Sequence, residues 1–249
     1  GKNSLYNSGS STCFGGPLNR TGYWVPALFD DQNNIRVPEV FQVYYKSEVS
    51  DGTKTKEFPE GFGMVGARHY WSCTNGVNGA DQGYSDSIPN CNSSYLHAAI
   101  VFPMCWDGKT LIGAEGKAHV FDPGNVSNVN CPSNFPIQLP EVRYKIYWKI
   151  DRASNSNWYL SADRHGGANF KAGASLHGDW LGGWNAKIQT QFVKACINRE
   201  TSCDTGFVGD GDAFLNSAIG QPSGTTYRLS FPLGYNGVNK LTIPSNLGP

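Results

Sequence analysis

Histidine, carboxylate and tryptophan side chains are where this sequence could do chemistry. Five histidines occur in 249 residues: His69, His97, His119, His165 and His177. Histidine is the commonest metal ligand and the usual acid–base group near neutral pH. His97 lies inside the most apolar strand-like run, so its ring faces either the core or a cleft. His119 sits in a short extended stretch between Lys117-Ala118 and Val120-Phe121. His177 and Asp179 are two apart, and on extended chain such residues share one face. A pair of that kind orients an imidazole for proton transfer or joins a metal shell. The plainer alternative is a loop Asp bonded to its own backbone. Asp107 follows Trp106 at a strand end, and a carboxyl beside a flat apolar ring suits a sugar substrate. Asp107-Gly108 also reads as a simple turn, with Trp106 in the core.

These residues support three readings. In the first, His97, Asp107, His119, His177 and Asp179 carry acid–base cleavage of a glycosidic bond, with Trp106, Trp180, Trp184 and Lys109 holding the substrate. An Asp with a raised pKa would then protonate the leaving oxygen. In the second, His97, His119 and His177 hold copper or zinc. Copper would point to oxidative attack on polysaccharide and zinc to hydrolysis. In the third, the chain is a non-catalytic module that binds glycan or cell wall. Gly209-Asp210-Gly211-Asp212 has carboxylates for calcium but lacks the ligand count of an EF-hand loop, so it reads as an acidic loop. No GxSxG, HExxH or P-loop pattern occurs.

The elements that must position these groups are mostly strands. Residues 37–46 alternate in polarity, residues 94–103 form an apolar run ending at Pro103, and residues 141–150 carry the strongest period-two signal. Residues 225–231 and 239–243 read as further strands. Turn pairs such as Asp51-Gly52, Asn75-Gly76 and Asp107-Gly108 separate the runs. One segment reads as a helix, with Asn185 as N-cap and Ile188, Gln191, Phe192, Ala195 and Cys196 on one face. The expected fold is all-β: a two-sheet antiparallel sandwich with one short helix and long disulfide-tied loops, in a single domain over 1–249.

Twenty basic residues balance twenty acidic ones, so the global charge carries no nucleic-acid footprint. No apolar run is long enough to span a membrane. The chain opens Gly1-Lys2-Asn3-Ser4 without a signal peptide and reads as a mature or trimmed form. Seven cysteines without CxxC pairs read as disulfides of a secreted protein. Closing the shortest loops pairs Cys73 with Cys91, Cys105 with Cys131 and Cys196 with Cys203, leaving Cys13 over. Sequons at Asn19, Asn92 and Asn125 mark candidate surface loops.

Several segments together resemble the DUF1996 family: Thr12-Cys13, Gly22-Tyr23-Trp24-Val25-Pro26-Ala27-Leu28, Trp71-Ser72-Cys73, Leu96-His97, the FPMCWDGK run over 102–109, Ala118-His119-Val120 and Leu176-His177-Gly178-Asp179-Trp180. The resemblance runs in order from Thr12 to Cys196. It implies an extracellular protein of fungal or bacterial type, often joined to carbohydrate-binding or wall-associated modules. It implies no named activity. Its recurring polar positions fall on His97, Asp107, His119, His177 and Asp179, leaving His69 and His165 as incidental. Its cysteine pattern suits the three bridges above. Family members usually carry a His-x-His stretch before the Thr-Cys segment, and this chain begins after that point. The expected partner is a polysaccharide or cell-wall glycan.

Overall fold

A computed structural model describes residues 18–47, 55–92, 94–124, 130–151, 154–165 and 171–199. In chain order the strands are β1 Gly22–Trp24, β2 Leu28–Phe29, β3 Ile35–Arg36, β4 Val40–Lys46, β5 Gly63–Gly66, β6 Arg68–Thr74 and β7 Tyr95–Val101. They continue with β8 Cys105–Trp106, β9 Val120–Phe121, β10 Ile137–Gln138, β11 Glu141–Lys149, β12 Tyr159–Leu160 and β13 Gly178–Leu181, and one helix, α1 Ala186–Ala195, follows. All pairings between these strands are antiparallel.

The largest sheet has four strands in the order β4-β11-β7-β6. Its members β4, β7 and β11 are the three runs with the clearest sequence signal. Alternation sorts its faces. Trp71, Leu96, Ala98, Ile100, Val142, Tyr144, Ile146 and Trp148 share the buried core. Arg143, Lys145 and Tyr147 fall on the opposite face because β-strand side chains alternate. The layer over the core face is not a single second sheet. It is divided between the three-stranded sheets β1-β13-β5 and β12-β2-β3, while β10-β8-β9 forms a third small sheet beside them. Strands of two to four residues cannot build one wide layer, so the core is closed by several short sheets.

Bulky rings fill the space between the layers. Trp71, Trp148, Trp158 and Trp180 are all essentially inaccessible to solvent. A buried indole N–H favours an acceptor, and three of the four have one, while Trp158 Nε1 has none among the described residues. Trp180 donates to the Tyr45 hydroxyl at 3.0 Å, Trp148 to the Arg36 carbonyl at 3.0 Å and Trp71 to the Gly173 carbonyl at 2.9 Å. Gly66 and Gly178 face each other across β5 and β13. A Cβ on either would lie within 2.9 Å of the Phe102 ring, so glycine at both lets the small sheet approach the core.

The two local bridges within the described residues are formed: Cys73–Cys91 and Cys105–Cys131. Cys196 is disulfide-bonded as well, and its partner lies outside the described residues, as do Cys13, Cys203, the Gly209–Asp212 loop and the two late strands. The helix is capped as expected, Asn185 Oδ1 accepting from the N–H groups of Lys187 and Ile188. Its buried face is rotated from the expected one. Ile188, Gln189 and Val193 are buried, while Gln191 and Ala195 are exposed. Gln189 is drawn inward because its amide donates to the Phe58 carbonyl at 2.7 Å. The sequon at Asn19 is not on an open loop. Its side chain is buried and bonded to Tyr23, so it is no glycan acceptor in this fold, whereas Asn92 is exposed and Asn125 lies outside the described residues.

Replacing Trp180 by Ala removes a fully buried ring and leaves a cavity. Urea denaturation is expected to show a loss of about 3–5 kcal/mol.

Candidate functional site

Antiparallel pairing builds an outward-facing row across the small sheet. Asp179 on β13 is in register with Trp24 on β1 and with Val65 on β5. Directly opposed residues project to the same face. Because Trp180 points into the core, its neighbour Asp179 points out. Val65 and Asp179 of this row line an open groove of about 460 Å³ together with His69, Glu115, Lys117, Ser175 and His177, and Trp24 stands beside it against His177.

One wall is the segment leading into β13. Asp163 organises it, accepting from the N–H groups of Leu160 and Gly173 at 2.7 Å each and from the Ser175 hydroxyl at 2.5 Å. Ser175, so held, offers its carbonyl to His177 Nδ1 at 2.8 Å. A carbonyl only accepts, so Nδ1 carries the proton and the neutral ring keeps its lone pair on Nε2. The His177 ring lies 5.5 Å from the Trp24 ring, centroid to centroid. Trp24 is 50% exposed, unusual for the largest apolar side chain. The other wall is the segment 113–117. Glu115 there sits at φ +53°, a left-handed conformation that a non-glycine residue rarely adopts. Gly116 follows at φ +66°, and a Cβ on it would meet Val65 at 2.6 Å. Glu115 and Asp179 therefore flank Val65 from two sides. His69, at the end of the groove, sets Nδ1 3.0 Å from the Ala67 carbonyl.

The residues expected from sequence fall in several places. His177 and Asp179 line the groove. His119 is 1% exposed and lies beneath the groove wall. Its Nε2 donates to the Gly63 carbonyl at 2.9 Å, and its Nδ1 accepts from the Gly113 N–H at 3.0 Å. Asp107 caps a turn, its Oδ1 accepting from the N–H groups of Lys109 and Thr110 at 2.8 and 2.9 Å. Burial works against its charge, but those donors outweigh it and hold the carboxyl below its ordinary value. That is the opposite of what a general acid needs. Lys109 is exposed on the same turn, and Trp106 donates from its indole to the Thr110 carbonyl at 2.7 Å. Trp180 is in the core, and Trp184 packs with Leu18, Ile188 and Phe192, so neither offers a face to the groove.

His97 lies on the opposite face of the four-stranded sheet and is 2% exposed. Its Nδ1 is 2.7 Å from the Asp81 carboxylate, and its ring stacks on Tyr147 at 4.5 Å. Nε2 is buried and has no partner among the described residues. Burial pushes the ring's pKa below its ordinary value, against the upward pull of Asp81. The expected metal set of His97, His119 and His177 is therefore not assembled. One ring is on another face, and both nitrogens of a second are committed to backbone groups. Among the described residues no three His, Cys, Asp or Glu side chains come together as a metal-ligand set.

Residues 2–184 match the family described as "Domain of unknown function (DUF1996)". The chain belongs to the DUF1996 family. No curated protein and no solved structure matches it. The matched span of this DUF1996 domain contains both walls and the floor of the groove, while α1 follows it. Sequence reasoning set His69 aside and did not single out Trp24 as a ligand platform, Glu115 or Asp163. Trp24 stood within the family-like Gly22-Tyr23-Trp24 segment, and only its exposure marks it. Nothing local marks Glu115, whose groove neighbours Val65, His177 and Asp179 are fifty or more residues away in sequence.

The buried neutral histidines make the DUF1996 fold acid-sensitive. A ring whose folded pKa lies below the unfolded value of about 6.5 takes up protons more readily when unfolded, so stability falls as pH drops below that value. The loss is at most about 1.4 kcal/mol per pH unit for each ring. Denaturation between about pH 7.5 and pH 5 should show this slope, and His97→Asn should flatten it while lowering stability at the higher pH.

Proposed function

We propose that this domain acts on an extracellular or cell-wall polysaccharide, seating a sugar ring against Trp24 and working on it with the groove's polar groups. The observation that carries the reading is the row Trp24–Asp179–Val65 with His177 against the indole. A sugar presents flat C–H faces that pack on an exposed aromatic ring, and hydroxyls that need polar partners at its edge. An exposed tryptophan against His177 and Asp179, beside a groove that also holds Glu115 and His69, meets both needs. An extracellular setting is supported by the disulfides Cys73–Cys91 and Cys105–Cys131.

The chemistry that fits is hydrolysis of a glycosidic bond. A carboxyl group, Glu115 or Asp179, gives its proton to the leaving glycosidic oxygen. His177 Nε2, the nitrogen with a free lone pair, takes a proton from the water that attacks the anomeric carbon. The Asp163–Ser175 link holds that imidazole in one tautomer. A second reading, glycan binding without turnover, is favoured by the openness of the groove and by Asp107 being spent on its turn.

Pull-down on a panel of insoluble polysaccharides, together with reducing-end release, tests both. Trp24→Ala should weaken binding about tenfold or more. His177→Ala should cut release about a hundredfold or more, with binding nearly unchanged. Binding without release by the wild type would leave the module reading. No binding to any glycan would overturn both.

A further inference from the structure

We propose that His119 is the positioning residue for the Glu115 wall of the groove, and that it holds this wall only while its ring is unprotonated, so that acid releases it. The consequence for ligand binding rests on the groove being the saccharide site; the latch itself does not.

The geometry specifies the protonation state. A backbone N–H can only donate, so the 3.0 Å contact from Gly113 makes Nδ1 an acceptor. A carbonyl can only accept, so the 2.9 Å contact to Gly63 makes Nε2 the donor. The neutral ring with its proton on Nε2 satisfies both at once. Adding a proton to Nδ1 breaks the Gly113 bond and sets two N–H groups against each other. Water cannot step in readily, because the ring is 1% exposed.

What the ring joins matters as much. Gly63 begins β5, whose Val65 is in the groove floor. Gly113 begins the segment that carries Glu115 and Lys117 into the groove. The approach is tight enough that a Cβ on Gly113 would lie 2.8 Å from Nδ1, so only glycine fits there. The Leu111 carbonyl ties the segment's start to β5 as well, accepting from the Gly63 N–H at 3.1 Å, and beyond Gly113 the wall closes on itself. Gly116 N–H bonds back to the Gly113 carbonyl at 3.0 Å, and Lys117 N–H to the Ala114 carbonyl at 3.1 Å. Left-handed Glu115 stores backbone strain that the latch helps to hold.

The groups around the ring leave this state in place near neutral pH. Desolvation acts against a charged ring and lowers its pKa, while the Gly63 carbonyl and the Asp107 carboxylate pull it upward and do not prevail. Phe62 packs edge-on at 5.1 Å and brings no charge. Glu115 and Lys117 on the same segment are exposed, and Asp122 is committed to Arg68 at 2.7 Å.

The test is a pH titration of the full chain by NMR and amide hydrogen exchange. The Gly113 amide proton and the His119 ring nitrogens should shift with one common midpoint. Exchange at residues 111–117, corrected for the intrinsic pH effect, should rise about tenfold or more by about pH 5, while β7 and β11 stay protected. His119→Gln and His119→Asn supply a donor and an acceptor that do not titrate, so either variant that folds should keep the segment protected at both pH values. Equal acid release in such a variant would overturn the proposal, as would separate midpoints for Gly113 and His119 in the wild type. Neither readout needs a ligand. If a polysaccharide binds, its affinity should fall with the same midpoint. If none binds, the latch midpoint still stands or fails by itself.

Discussion

Burying Trp180 governs the geometry of the groove. Its ring packs 4.4 Å from Phe58, and its N–H reaches the Tyr45 hydroxyl, which also receives Trp184. With that residue pinned inward, strand alternation turns Asp179 outward and sets it beside Trp24 and Val65. The Tyr144 hydroxyl reinforces the arrangement by donating to the Asp179 carbonyl at 2.8 Å. A slip of one residue in β13 would bury the carboxylate and expose the indole. The cost of burying an unpaired charge forbids that register.

The histidines around this core show how one residue type takes different roles from its surroundings. His177 is half-buried, and a backbone carbonyl leaves one nitrogen open to a ligand. His119 spends both nitrogens on backbone groups and ties a wall to a strand. His97 pairs with Asp81 under a tyrosine stack on the far side of the sheet. In the last two, burial disfavours the charged ring, so each is neutral for a structural reason. Reactivity follows from which nitrogen is left open.

The groove walls are held by hydrogen bonds to backbone more than by side-chain packing. Asp163 gathers donors from 160, 173 and 175, and His119 bridges residues 63 and 113. Such groups fix backbone without filling space, which leaves the groove open. The Arg68–Asp122 pair joins the start of β6 to the chain just after β9.

Much of the fold was legible from local pattern. Period-two alternation marked β4 and β11, an apolar run marked β7, Asn185 marked the helix start, and short separations pointed to the bridges Cys73–Cys91 and Cys105–Cys131. His177 and Asp179 both line the groove, as two-residue spacing on extended chain expects, but the imidazole is held by the Ser175 carbonyl rather than by that carboxylate. The helix face was misjudged because Gln189 finds a backbone carbonyl 131 residues away, and periodicity carries no knowledge of a distant acceptor. For the same reason sequence could not separate the three histidines or bring His69 and Glu115 to one groove with Trp24 beside it. The side of a strand is a local property of alternation. Which sides meet is decided by where buried rings and backbone donors find partners, and only the tertiary structure sets that.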